Sequence, residues 1–213
     1  MRSKHPSLAI GVILLLCGAL ANPAAALLGD HDKLDDLIDR IEKTLKEMRE
    51  SEQHLEKTLD AYHKTLARRG GGRRSSYKDL LKRLEQHEER SKKRRERLKD
   101  MDERAEKYFK AWKKGLDEIK DAALKKRGAA RLSDARERYL NLRVAGHEAH
   151  EGFEPVVEGL RDQAVYLGHD LNAASTATLA EDEAKISELA RELGVKIASY
   201  RTAAKGYVTS LEP

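Results

Sequence analysis

The chain has 213 residues, of which 37% are charged and 5% aromatic, with four prolines, one cysteine and a formal net charge of +5. So polar a composition with so few aromatics excludes a thick globular core and leaves helical bundles, coiled coils or disorder. The sustained apolar periodicity set out below removes disorder from that set.

An export signal comes first. Arg2, Lys4 and His5 make a positive start, and Leu8 to Leu20 is an uncharged apolar run. Ala19-Leu20-Ala21 and Ala24-Ala25-Ala26 each offer the small residues that signal peptidase needs. Cleavage after Ala26 is expected, because Pro23 ends the apolar run just upstream. The reading is a signal peptide over 1–26 and one helical coiled-coil domain over 27–213, in the periplasm or secreted. An uncleaved membrane anchor is the alternative, since Leu8 to Leu28 nearly spans a bilayer if Asn22 and Pro23 are tolerated. Cys17 falls inside the apolar run, and Leu16 before it is not the small residue that lipidation requires. The mature chain then has no thiol, hence no disulfide and no cysteine-based metal or redox site. It also loses Arg2 and Lys4, leaving a net charge of +3.

The first helix is expected from about Asp30 to Ala67. Its seam runs Leu34, Ile38, Ile41, Leu45, Met48, Glu52, Leu55, Leu59, Tyr62, Leu66, with only Glu52 polar. Steps of three and four hold a 3.5-residue repeat, which keeps one stripe facing a partner helix. Asp30, Asp32, Asp35 and Asp36 crowd the expected start, where carboxylates suit the helix dipole.

Gly70-Gly71-Gly72 reads as the reversal, with Ser75-Ser76 capping a second helix over about 76–125. Its apolar positions are Tyr77, Leu80, Leu81 and Leu84, then Leu98, Met101, Ala105, Tyr108, Phe109, Trp112, Leu116 and Ile119. Between them, Gln86 to Arg97 holds no large apolar side chain. Gly128 marks the next expected reversal.

A third helix is expected over about 130–171, buried along Leu132, Ala135, Tyr139, Leu142, Ala145, Ala149, Phe153, Val156, Leu160, Ala164, Leu167 and Leu171. Gly152 and Pro155 predict a kink or break inside it. The fourth, over about 175–211, has the seam Leu179, Glu183, Ile186, Ala190, Leu193, Ile197, Tyr200, Ala204, Tyr207, Leu211. Helices of about 36 to 50 residues are about 55 to 75 Å long. The fold class is all-α: an up-down four-helix bundle, or extended coiled-coil hairpins.

The run Leu160-Arg161-Asp162-Gln163-Ala164-Val165-Tyr166-Leu167-Gly168-His169-Asp170-Leu171-Asn172-Ala173 resembles the signature of an uncharacterised bacterial family, domain of unknown function 2959. Met101 to Leu116 with Trp112, Arg131 to Tyr139, and Glu154-Pro155-Val156 extend the likeness over most of the mature chain. The resemblance implies an exported helical protein and brings no activity or ligand with it. This chain is more basic in the second helix.

Four features are candidates for chemistry. From Arg68 to Arg104 there are fifteen Lys and Arg against eight Asp and Glu, while Glu148 to Glu192 has eleven acids against three bases. Folding about Gly128 sets Arg104 near Gly152 and Arg90 near Tyr166, so the two blocks are expected to neutralise each other. The alternative is an anion-binding patch at Lys92, Lys93, Arg94 and Arg95, facing an anionic envelope surface. Nucleic acid is disfavoured, because the aromatics do not interleave with the basic run. His147, His150, Glu151 and Glu154 share a helical face, but the spacing is not that of a zinc protease or a di-metal bundle. Arg161, Asp162, Gln163, His169 and Asn172 are candidates for a small ligand site at the bundle end, against a structural end-cap in which Asn172 serves the turn. Tyr108, Phe109 and Trp112 read as core.

No phosphate loop, nucleophile triad or glycosidase carboxylate pair is present. No catalytic residue, cofactor or metal is assigned. The expected function is a structural or protein-interaction role in the cell envelope, with an unknown envelope protein or self-association as partner. The alternatives are a periplasmic holdase chaperone and a binder of anionic surfaces through the second helix. The apolar gap separates them: a splayed mid-section makes a cavity, and a covered one makes a closed rod.

Overall fold

The structure is a computed structural model and describes residues 23–211. The apolar run, Cys17 and the Ala19-Leu20-Ala21 site lie outside the described residues. Six helices follow in order: α1 Pro23–Ala67, α2 Gly70–Glu118, α3 Ala122–Glu151, α4 Phe153–His169, α5 Ala173–Ala177 and α6 Ala180–Leu211. There is no strand among the described residues. Helices α1, α2, α3–α4 and α6 are the four long arms, each antiparallel to the arms it packs against. None of the described helices is long and apolar enough to cross a membrane.

Helix α1 begins with proline, whose missing N–H costs nothing in a first turn. It runs through Ala24–Ala26, so Asp32, Asp35 and Asp36 sit turns inside it rather than at its start. The reversal after α1 is only Arg68–Arg69, and Gly70 starts α2 with φ +55°. The three glycines are thus inside the helix, and the capping expected of Ser75-Ser76 does not occur. Arg73 closes the turn instead. It is buried, and its Nε donates to the Arg68 carbonyl at 2.8 Å, a cation at the negative end of α1.

The second reversal also differs from expectation. It falls at Ile119–Asp121, where the Asp121 carboxylate accepts from Leu124 N at 2.8 Å and caps α3. Gly128 lies inside α3. A Cβ there would stand 2.3 Å from Leu116 Cδ2, so this glycine serves the close approach of α3 to the end of α2, not a turn. The register between α2 and α3–α4 moves by about three helical turns as a result. Leu98 meets Gly146, Arg94 meets His150 and Phe153, and Tyr77 donates to the Ala164 carbonyl.

The expected break in the third arm falls at Gly152, with Pro155 in the first turn of α4 where it is tolerated. At the far end Asn172 caps α5, its Oδ1 accepting from Ala174 N and Ser175 N at 2.7 and 3.0 Å.

The α6 seam is buried as its spacing requires. Ile186, Leu193, Ile197, Tyr200, Ala204 and Tyr207 are in the core, with Leu179 just before the helix. Tyr108 and Phe109 are core residues, and Trp112 packs at its edge. In α1 only half of the expected seam is central. Ile41, Met48, Leu55 and Tyr62 are buried, while Leu34, Leu45, Leu59 and Leu66 flank them. The second central line is Leu37, Thr44, Ser51, Thr58, Thr65, one residue every seven, each 0–2% exposed.

Candidate functional site

The hydroxyl line of α1 shapes the middle of the bundle. Thr44, Thr58 and Thr65 donate to the carbonyls of Arg40, His54 and Ala61, one turn back, at 2.7–2.8 Å. Their polarity is satisfied within α1, and their small volume leaves room for larger groups opposite. Those groups come from α2, whose inward line Arg73, Leu80, His87, Arg94, Met101, Tyr108 also steps by seven. The apolar gap from Gln86 to Arg97 is therefore not a gap in the seam. It is two turns in which the seam is His87 and Arg94, each 2% exposed.

Two further buried groups, His54 and Glu47, settle around them. Thr58 spends its hydrogen on the His54 carbonyl, so at 3.3 Å it accepts from His87 Nε2–H. His87 Nδ1 then carries a lone pair with no hydrogen-bond partner. Burial first, then the neighbouring His54 and Arg94, pushes the His87 pKa down to about 3, and the ring is neutral. His54 donates from Nε2 to the Arg83 carbonyl at 3.0 Å and packs edge-on to His87, with centroids 4.7 Å apart. Glu47, 3% exposed, is held by Lys93 at 2.5 Å and Arg90 at 3.8 Å.

Arg94 faces the other way, toward α3–α4. Its guanidinium lies 3.9 Å over the Phe153 ring, and Nε donates to His150 Nδ1 at 3.4 Å. No carboxylate lies within ion-pair distance of it among the described residues, and Nη1 has no hydrogen-bond partner. Burial lowers its pKa to about 10, opposed by Glu47 and Glu154, so it stays charged at neutral pH. An isolated buried cation is costly, and proteins pair such groups or use them.

Arg94 and His87 lie on the floor of an open cleft of about 1220 Å³ between α2 and α3–α4. Leu84, Phe153 and Val157 give it an apolar base. Lys92, Arg95 and Arg161 stand at its sides with Glu85, Glu88, Glu89, Glu151 and Glu154. The mutual neutralisation expected of the two charge blocks is not found. Among the described residues no Lys or Arg of 68–104 pairs with an acid of 148–192, because the register shift and the cleft keep them apart. The basic block pairs with α1 instead: Arg90 and Lys93 with Glu47, and Arg104 with Asp36 at 2.8 Å.

The patch Lys92–Arg95 is split three ways: Arg94 goes inward, Lys93 to Glu47, and Lys92 and Arg95 to the cleft wall. Of the second candidate set only Arg161 reaches the cleft, 3.5 Å from Glu154. Gln163 is buried and accepts from Tyr62 OH at 3.1 Å, Asp162 and His169 are exposed, and Asn172 is the cap described above. The histidine face divides too. His147 meets Asp102 at 3.4 Å, whereas His150 turns to Arg94. No group of three or more His, Cys, Asp or Glu among the described residues is arranged to hold a metal ion. Residue-by-residue spacing missed His87, His54 and Glu47, although the seven-residue step through His87 and Arg94 was available to find two of the floor groups.

Fold and site define a class: an antiparallel bundle of long helices with a polar, partly unpaired layer at mid-length, open on one side. The chain belongs to the family described as a protein of unknown function, DUF2959, whose model matches residues 24–210. Neither a curated protein nor a solved structure matches it.

Proposed function

We propose that this is an exported, non-catalytic interaction protein of the cell envelope, whose mid-bundle cleft receives an acidic element of a partner protein. The observation that carries the reading is Arg94: a nearly inaccessible guanidinium, free of carboxylate contacts, on the floor of an open cleft. A carboxylate brought in by a partner would supply the missing charge, and Phe153 and His150 already fix the guanidinium's orientation. The envelope address rests on the N-terminal charge and apolar pattern. The heptad seams are read as coiled-coil packing. A holdase fits less well, since acids and bases crowd the cleft above its small apolar base.

The test is a photoreactive amino acid at Ser91, half-buried within the cleft, in cells. A discrete protein adduct is expected from Ser91 and not from Val195 on the outer face. Arg94→Met should abolish it. Equal adducts from both positions, or none lost with Arg94→Met, would overturn the reading.

A further inference from the structure

A second surface is independent of the cleft. The window Lys107–Arg138 holds eleven Lys and Arg against five Asp and Glu. The turn at Ile119–Asp121 folds this window into one end of the bundle, where α2 finishes and α3 starts. Helix α1 joins them through Asp36 and Arg104, and the end of α6 through Tyr207, 5.7 Å from Tyr139 between ring centroids.

At this end Lys107, Lys110 and Lys114 line an open groove of about 500 Å³ between α1 and α2. Steps of three and four put them on one face of α2. All three are exposed, and none has a carboxylate within ion-pair distance among the described residues. The groove's own acid, Asp36, is taken by Arg104. Leu124, 50% exposed in the first turn of α3, puts an apolar group at the same end of the bundle. The chain enters α1 at this same end.

We propose that this end of the bundle docks on an anionic lipid surface. Unpaired ammonium groups on flexible stems reach headgroup phosphates while their methylenes lie along the groove. An exposed leucine at the same end as such cations suits the headgroup boundary. The run Lys92–Arg95 is not this surface, since two of its four cations are committed to Glu47 and to the floor of the cleft.

The experiment measures partition of the full chain into phosphatidylcholine vesicles with and without phosphatidylglycerol. Any contribution of the apolar run is common to both vesicles, so the ratio of the two reads the charged surface. The variant K107Q/K110Q/K114Q is compared with K78Q/K82Q/K92Q, which removes the same charge from exposed positions elsewhere on α2. The wild type should prefer anionic vesicles, and the preference should fall by about fivefold per charge, roughly a hundredfold, in the first variant only. Added salt should weaken it. Equal partition of the wild type into both vesicles, or an equal loss in both variants, would overturn the proposal. Circular dichroism melts confirm that each variant stays folded, which exposed positions permit.

Discussion

Arg94 of α2 lies 3.9 Å over the ring of Phe153 of α4, across the line where the third arm of the bundle breaks. The contact joins a buried cation to the one place where that arm changes from α3 to α4. It orients the guanidinium without neutralising it. Removing the charge while keeping the volume should therefore not harm the fold. Arg94→Met is expected to leave stability within about 1 kcal/mol of wild type or raise it by about 1–3 kcal/mol, as for other buried charges replaced by apolar groups. Glu47 keeps Lys93 and Arg90 in the variant, so no orphan acid is created. Urea melts check this, and a loss above about 3 kcal/mol would make Arg94 a structural strut.

The buried histidines predict acid sensitivity. His87 and His150 are held down to about 3 and about 4, mainly by burial, with Arg94 among the cations beside both. His54 is lowered as well, again by burial first, with Arg90, Arg83 and Lys57 adding to it. In the unfolded chain His87 and His150 take a proton near pH 6.5, and in the folded chain they do not until well below; His54 acts in the same direction. Stability is thus fully present above about pH 6.5 and falls with pH, by about 1.4 kcal/mol per pH unit for each such histidine. Urea melts from pH 7 to pH 5 should show that slope. His87→Gln should flatten it by about one histidine's share while leaving the arginine cluster in place.

Two glycines should behave oppositely. A side chain at Gly128 collides with Leu116, so Gly128→Val should cost about 1–3 kcal/mol through overpacking. Gly71 has nothing within 4 Å of its would-be Cβ and sits in a helix. Gly71→Ala should be neutral or stabilising by up to about 1 kcal/mol. Thermal melts decide both. A harmless Gly128→Val would mean that the α2–α3 turn is looser than described.

Core depth ranks two aspartates that their seams would rate alike. Ile197 is 2% exposed, and Ile197→Asp should cost several kcal/mol, of order 3 or more, because the carboxylate has no route to water. Leu45 only flanks the core, and Leu45→Asp should cost about half as much, since its carboxylate can turn to solvent. Equal losses would place α1 differently about its axis.

These contrasts show what the amino-acid order reveals and what it hides. The α6 seam is legible because every inward position but Glu183 is apolar, and Glu183 meets His63 of α1 at 3.5 Å. Glu52 likewise meets Arg201 at 2.9 Å, so the polar breaks are contacts between α1 and α6. The line Thr44, Ser51, Thr58, Thr65 is hidden from a search for apolar residues, because hydroxyls that bond back to their own helix can occupy a core. The same blindness makes His87 and Arg94 look like an interruption. The reversal expected at Gly128 falls about two helical turns earlier, at Ile119–Asp121, because a glycine needed for contact resembles a glycine needed for a bend. That displacement carried the charge blocks into an alignment they do not have, and it concealed the cleft.

The central claim is that the cleft takes an acidic group at Arg94. The most direct measurement is nuclear magnetic resonance of the Arg94 guanidinium and His150 ring nitrogens during titration with a glutamate-rich peptide. The account predicts saturable shifts at both residues, absent at Arg94-remote Arg191 and lost for His150 in Arg94→Met. Shifts confined to Lys92 and Arg95 on the cleft wall, or no shift at Arg94 at saturating peptide, would contradict it.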